Sequence, residues 1–240
     1  MVTFNDLIAK TRMYLDEVAA KSWTDTEVKR EVNFAYQEFV SAVVNTFEDF
    51  YLVPSTFNII NGQQEYGVSD GVPSNIYKIR RIEVNFDTAS SPTGYGKAMP
   101  VNITQIRDSL GTSNMGGMTR ALYYTYGFDS SIKLGFIPVP KKDSANGVRL
   151  WTVQAVINLV LVTDNVNIPY ADRFATGISL IAAGTLLRKG QQEEVAAVRY
   201  IADGQSMKAQ MTEELEDRVA DESKVILDSV GMDTDFGYGL

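Results

Sequence analysis

The chain has 240 residues, 45% of them hydrophobic and 22% charged, which is enough for one large or two small domains with a real core and too apolar for a disordered chain. It has no cysteine and no histidine, which excludes disulfides, zinc–thiolate sites, cysteine nucleophiles and serine–histidine hydrolases and removes the usual general base near neutral pH. Net charge is −8, and −7 of it lies between Thr212 and Leu240, where nine acids meet only Arg218 and Lys224; the nearly neutral body has no basic stripe with which to grip nucleic acid.

The first helix is predicted from Thr3, an N-cap with Asp6 three residues on, and from Phe4, Leu7, Ile8, Tyr14, Leu15 and Val18, which recur at helical spacing. It is expected to end near Ala20–Ser22. A second helix begins at the capping box Thr24-x-x-Glu27, with Trp23 before the cap and Val28 four positions after it as a hydrophobic staple. Val32, Ala35, Tyr36, Phe39, Val43 and Phe47 continue its apolar stripe. Two helices joined this closely pack antiparallel, and covering their apolar faces takes a further helix.

From Phe50 to Val162 the texture turns to Thr, Tyr, Ile, Val and Gly. Thr56–Ile60, Asn61-Gly62 and Gln63–Val68 read as a hairpin with a tight Asn-Gly turn. Gly71–Asn75 breaks the pattern, Ile76–Phe86 alternates again, and Ser90–Gly96 is a loop. One or two helical turns over Ile103–Leu110 and a Gly/Ser/Met loop over Gly111–Thr119 follow. Strands are then predicted near Ala121–Tyr126, Ser131–Ile137 and Val148–Val162, giving one antiparallel sheet of five or six strands. The longest apolar-rich run, Val153–Val162, is interrupted by Gln154 and Asn158 and falls far short of the ~20 residues of a membrane span. The N-terminus lacks a basic region followed by an apolar core, so a soluble protein made in the cytoplasm is expected.

Pro169 suits a helix start, and Phe174, Ile178, Ile181, Ala182, Thr185 and Leu186 form an inward face. Gly177, Ala183 and Gly184 allow close helix approach, Arg188 and Lys189 favour the helix dipole, and Gly190 stops the helix. A last helix from about Gln192 carries Val195, Val198, Ile201, Met211, Leu215 and Val219 on one apolar face, with Asp203-Gly204 as a weak point. Gly231–Leu240 is expected to be extended or disordered in isolation. The fold class is α+β: a helical bundle from residues 1–50 and 168–230, an inserted antiparallel β domain over 51–167, and a tail over 231–240.

The acids Asp16-Glu17, Asp25/Glu27, Glu213-Glu214 and Glu216-Asp217 lack the spacing of a calcium loop and read as caps and solvated faces, so no metal or cofactor is expected. Gly94-Tyr-Gly96 and Gly116-Gly117 are not followed by Lys-Ser/Thr and are loop tips rather than phosphate loops. Lys78, Arg80 and Arg81 read as a solvent face more readily than a phosphate contact. In Tyr123-Tyr124-x-Tyr126, Tyr124 and Tyr126 share one strand face and Tyr123 takes the other. Packing is the default there, and a stacking platform for sugars or bases is the alternative.

In order and texture these features resemble the head-to-tail adaptor (connector) proteins of tailed bacteriophages, including the tail-tube or nozzle adaptors of short-tailed phages. The resemblance rests on Trp23-Thr-Asp-Thr-Glu27 with Asn33-x-Ala-Tyr36, on Arg120–Tyr124, on Ile132–Pro140 with its Pro-x-Pro, and on Ile168-Pro169 with Leu186–Gly190. It implies a non-enzymatic virion protein at the head–tail junction, with about twelve copies in a ring. The partners implied are a portal protein and a downstream tail or nozzle protein. DNA would pass through without sequence-specific binding, and no membrane is involved. By the same resemblance the C-terminal tail docks on the portal, with Phe236, Tyr238 and Leu240 as anchors. A carbohydrate- or receptor-binding module using the Tyr-rich β domain is the first alternative, and a carboxylate-dependent hydrolase is the second.

Overall fold

A computed structural model describes residues 1–17, 22–85, 95–102, 121–127, 129–191 and 193–221. The predicted turns over Ile103–Leu110, the loop over Gly111–Thr119, Gly94 and the tail all lie outside the described residues. The chain divides into a helical unit (residues 1–47 and 158–240) and a β unit (48–157). The α+β class therefore stands, with helices from both chain ends together and strands inserted between them.

In the helical unit, α1 (Phe4–Tyr14) starts with a reciprocal cap: the Asp6 amide donates to Thr3 Oγ1 (3.3 Å) and the Thr3 amide to Asp6 Oδ2 (2.9 Å). It ends earlier than the apolar spacing predicts. Asp16 takes a φ of 53°, a left-handed conformation that Asp tolerates and that stops helical bonding. Helix α2 (Asp25–Phe47) carries the second reciprocal cap, with Glu27 N to Thr24 Oγ1 at 3.3 Å and Thr24 N to Glu27 Oε2 at 2.9 Å. Helix α3 (Ala171–Lys189) packs against α1, α2 and α4 (Glu194–Asp221). Pro169 is buried in the turn before α3, and the cap itself is Tyr170, at a φ of 50°.

The small residues of α3 set its distance from α4. A Cβ on Gly184 would lie 2.7 Å from the Ala197 carbonyl oxygen, and one on Gly204 would lie 2.7 Å from the Gly177 carbonyl oxygen. Gly204 is thus a contact point inside a continuous helix, not the weak point predicted. Two residues placed on the buried face of α4 are corrected: Val195 is 86% and Val198 56% exposed. Ile201 is half-buried, while Met211 and Leu215 are buried. The side chain of Val219, like residue Val18, is outside the described set.

The described residues of the β unit hold eight strands: β1 (Leu52–Ile59), β2 (Glu65–Gly67), β3 (Ile76–Val84), β4 (Gly96–Lys97), β5 (Met99–Pro100), β6 (Leu122–Tyr126), β7 (Lys133–Ile137) and β8 (Ser144–Gln154). They form two four-stranded sheets rather than one, in the orders β1-β8-β3-β4 and β2-β7-β6-β5, with β5–β6 parallel and the other pairs antiparallel. The predicted hairpin is also corrected. The Asn61-Gly62 turn is present, with Gly62 at a φ of 76°, but β1 pairs with β8 and β2 with β7. The turn is a corner between sheets. Its amides are bonded at a distance, Gly62 N to the Pro140 carbonyl (2.8 Å) and Asn61 N to Asp143 Oδ1 (2.7 Å). Phe57 and Ile59 from one sheet and Tyr66, Leu134 and Phe136 from the other share one core. Pro54 is accommodated because β1 is an edge strand.

The strand expected to run from Val148 to Val162 stops at Gln154. Beyond it the Ala155 amide still donates to the Asn75 carbonyl (2.8 Å), and further on side chains of α2 hold the segment. Leu159 donates to Asn33 Oδ1 (2.8 Å) and accepts from Asn33 Nδ2 (3.0 Å), and Gln37 Nε2 donates to Asn158 Oδ1 (3.1 Å).

Candidate functional site

The predicted core residues lie in the interior of the helical unit. Leu7, Val32, Phe39, Phe174 and Ile178 are fully buried, Tyr36 is 1% and Ile181 4% exposed, and the Tyr14 ring sits 5.4 Å from that of Tyr200. Trp23 is half-buried just before α2, next to Thr24 and Glu27. Hydrogen bonds from Thr24 hold the Glu27 carboxyl below its ordinary pKa, as bonds from Thr3 do for Asp6. Phe236, Tyr238 and Leu240 lie outside the described residues.

Of the acids considered as catalytic, Glu17, Asp25, Glu27 and Glu214 have structural partners. Asp25 pairs with Arg12 Nη2, whose guanidinium also reaches the Trp23 carbonyl (3.4 Å). Glu17 is buried, accepts the Ser22 amide (2.8 Å), and faces Arg12 Nη1 at 3.6 Å. Burial works to raise the Glu17 carboxyl; hydrogen bonds from Ser22 and Trp23, with the Arg12 charge, outweigh it and hold the group below its usual value. Glu214 pairs with Arg173. Glu31, buried in α2, takes Lys189 from the last turn of α3, so that lysine serves a neighbouring helix as well as its own dipole. Among the described residues no three acids are grouped so as to hold a metal, and no helix is long and apolar enough to cross a membrane.

The cations of β3 are neutralised within the β unit. Lys78 and Arg80 bind Glu48, Arg80 also binds Asp49, and Arg81 binds Glu83. Tyr124 and Tyr126 do share a face, their rings stacked at 6.4 Å, and both hydroxyls donate to Glu65 (3.0 and 2.6 Å). Tyr124 is 6% exposed and its ring lies across Gly135, so it offers no free face for a sugar or base. Burial first, then its bond to the Glu65 carboxylate, pushes the Tyr124 phenol up to about 12.

Three consecutive exposed aliphatic residues of the helical unit fall in a segment whose apolar run predicts a strand. Val160, Leu161 and Val162 are 70%, 63% and 47% exposed. Their backbone is nevertheless tied down. Asp164 Oδ2 accepts the Val160 and Leu161 amides (2.7 and 2.8 Å), the Val162 carbonyl accepts Asn5 N (3.0 Å), and the Asp164 carbonyl accepts Phe4 N (2.8 Å). A polar side chain closing a turn three residues back, after an uncharged run, was the signal available in the sequence.

The chain is thus an α+β protein whose helices, drawn from both sides of a β insertion in the sequence, form one unit, with Glu17, Asp25, Glu31 and Glu214 engaged by basic partners. Over residues 2–226 the chain matches the SU10 adaptor protein family, and it belongs to that family, a family of phage adaptor proteins. The match ends before the 231–240 tail. No curated protein matches the chain.

Proposed function

We propose that this adaptor is the ring that joins the portal to the tail of the virion and forms part of the channel through which DNA is retained and ejected. The observation that carries the reading is membership of the adaptor family over residues 2–226, and the charge distribution supports it. A conduit must let DNA slide without sticking, and counterion release drives binding wherever lysines and arginines are free. Here Lys78, Arg80 and Arg81 are engaged by carboxylates, and the acids are concentrated from Thr212 onward. A ring of about twelve copies brings those acids together and repels the phosphate backbone. The Gly231–Leu240 tail orders on the portal, with Phe236, Tyr238 and Leu240 filling apolar pockets.

Native mass measurement and negative-stain imaging of the purified chain, alone and mixed with purified portal, test the reading. Rings seated on the portal are the expected result, and a chain that never associates with it refutes the reading. Deletion of Gly231–Leu240 should abolish docking; unchanged docking would sink the tail assignment while leaving the ring.

A further inference from the structure

We infer that the β unit takes up an extended, uncharged segment of the virion protein on the tail side of the ring, laid as an added strand between the open edges of β3 and β6. The inference rests on the ring reading above and names the surface that meets this partner. Membership of the adaptor family implies binding to other virion proteins, and two unpaired strand edges have the chemistry to bind one through its backbone.

Strand β3 is bonded to β8 along one edge. Its other edge is covered by β4 only at Glu83 and Val84, where Ala98 N also donates to the Ile82 carbonyl (2.8 Å). From Ile76 to Arg81 no described strand lies on that side. Strand β6 is open in the same way. β5 pairs with it at Leu122 and Tyr123, and the bond from Val101 N to the Tyr123 carbonyl (2.8 Å) is the last along that edge. Backbone groups of successive strand residues point to opposite sides. Thr125, two residues on from Tyr123, therefore turns its amide and carbonyl the same way, away from β7. Neither group has a backbone partner among the described residues.

Both open edges line one groove of about 640 Å³, with Ile76–Ile79 on one side and Tyr123–Thr125 on the other. Ile79, Val101 and Ile132 give it apolar places, and the half-buried Tyr123 hydroxyl has no hydrogen-bond partner among the described residues. An added strand uses both kinds of surface: its main chain bonds the edges and its alternate side chains fill the apolar places.

Charge selects the occupant. Lys78 is the one charged residue lining the groove among the described residues, and both oxygens of Glu48 hold its Nζ (3.0 and 2.9 Å). No free cation is offered to a phosphate and no free carboxylate to a basic segment, so an uncharged polypeptide fits. Proteins often keep strands off an exposed edge with free charges; here Lys78 and Arg80 are neutralised by Glu48 and Asp49, and that defence is absent. A second copy has no described strand to give, because each is already paired within its own sheets. The Gly231–Leu240 tail is taken by the portal in the reading above, which leaves the protein on the tail side as the donor.

Hydrogen exchange of the full-length chain, read by mass spectrometry, tests this in three states: free, on purified portal, and in tail complexes released from virions. The open-edge amides of Ile76–Arg81 and the Thr125 amide should exchange at least ~10-fold more slowly in the tail complex than on the portal alone. No slowing in the tail complex would overturn the proposal. Slowing already complete on the portal would put the portal or a second copy in the groove and overturn it as well. Thr125→Pro deletes the edge amide but leaves the β6–β7 ladder whole, at an edge position that tolerates proline. It should keep its circular dichroism and its rings on the portal and lose tail attachment at least ~10-fold. Thr125→Val, which loses only the hydroxyl, should attach as the native chain does. Undiminished attachment in Thr125→Pro, or equal loss in both variants, would overturn backbone recognition while leaving the ring reading standing. If Thr125→Pro fails to fold, the exchange comparison on the native chain decides alone. A native chain that never forms rings on the portal would overturn the ring reading and this inference with it.

Discussion

Replacing Gly184 by alanine poses a contest whose winner the geometry decides. In a helix interior the change is normally favourable by about 0.8–1.0 kcal/mol, because alanine has less backbone freedom to lose. Here the new Cβ would meet the Ala197 carbonyl oxygen at 2.7 Å, Ile201 Cγ1 at 2.7 Å and Ile201 N at 3.1 Å. Two of those atoms are backbone, so no rotamer change relieves them, and α3 and α4 must separate by several tenths of an ångström along their shared length. Overpacking of this kind costs about 1–3 kcal/mol, and contacts with main chain belong at the upper end. The net expectation is a helical unit weakened by about 1–2 kcal/mol. The two tryptophans make this measurable: Trp23 lies in the helical unit and Trp151 in the β unit. In a Trp151→Phe background, urea unfolding followed by Trp23 emission reports the helical unit alone, and the midpoint should fall with an unchanged slope. A midpoint that stays or rises would refute the claim that backbone approach at Gly184 sets the α3–α4 distance.

Glu17→Gln should destabilise the helical unit by about 1–3 kcal/mol at pH 7, because buried Arg12 then loses a charge partner and keeps Asp25. Since the folded Glu17 carboxyl is held below its ordinary value, its contribution is present above that value and lost as pH falls through the folded one; urea midpoints measured downward from pH 5 should therefore fall more steeply in the native chain than in the variant. The Tyr124 phenol, raised to about 12, stays neutral in the folded chain after unfolded tyrosine ionises, so that its contribution holds below pH ~10 and disappears as pH rises toward 12. Burial also raises Tyr36, Tyr66 and Tyr123, so the phenolate band should show a late-titrating group of tyrosines, from which Gly135→Ala removes Tyr124 because a Cβ there would sit 2.2 Å from its ring. Asn33→Ala removes both bonds to Leu159 and should cost about 1–3 kcal/mol by urea unfolding; it should also loosen the 160–162 tip, read as faster amide exchange there while α3 is unchanged.

The helices were legible because their signals are local. Thr3/Asp6 and Thr24/Glu27 close their own caps within four residues, and Gly177 and Gly184 mark a close approach whatever lies opposite. The sheets were less legible because pairing is not local. Asn61-Gly62 has the chemistry of a hairpin turn, yet its flanking strands find better partners in β8 and β7, about ninety and seventy residues further on, whose side chains close the Phe57–Tyr66–Phe136 core. Arg12 and Glu17 gave no signal either. A buried ion pair across a helix end looks in sequence like two solvated charges, and only its position against Ser22, Trp23 and Asp25 distinguishes it.

Two further misreadings share one cause. Residues 155–162 were taken for a continuing strand, and Val195 and Val198 for the buried face of a helix, because apolar periodicity was equated with burial inside one chain. Periodicity reports only that a side chain is better out of water, not which molecule removes it. In a monomer, exposed aliphatics scattered singly need no explanation. Here they occur as a braced triplet bonded to the start of α1 and, on α4, as Val195 and Val198 one turn apart. The same disagreement recurs at Met13, Phe34 and Ile157, which are 65%, 59% and 68% exposed, so apolar spacing in this chain marks surface as well as core.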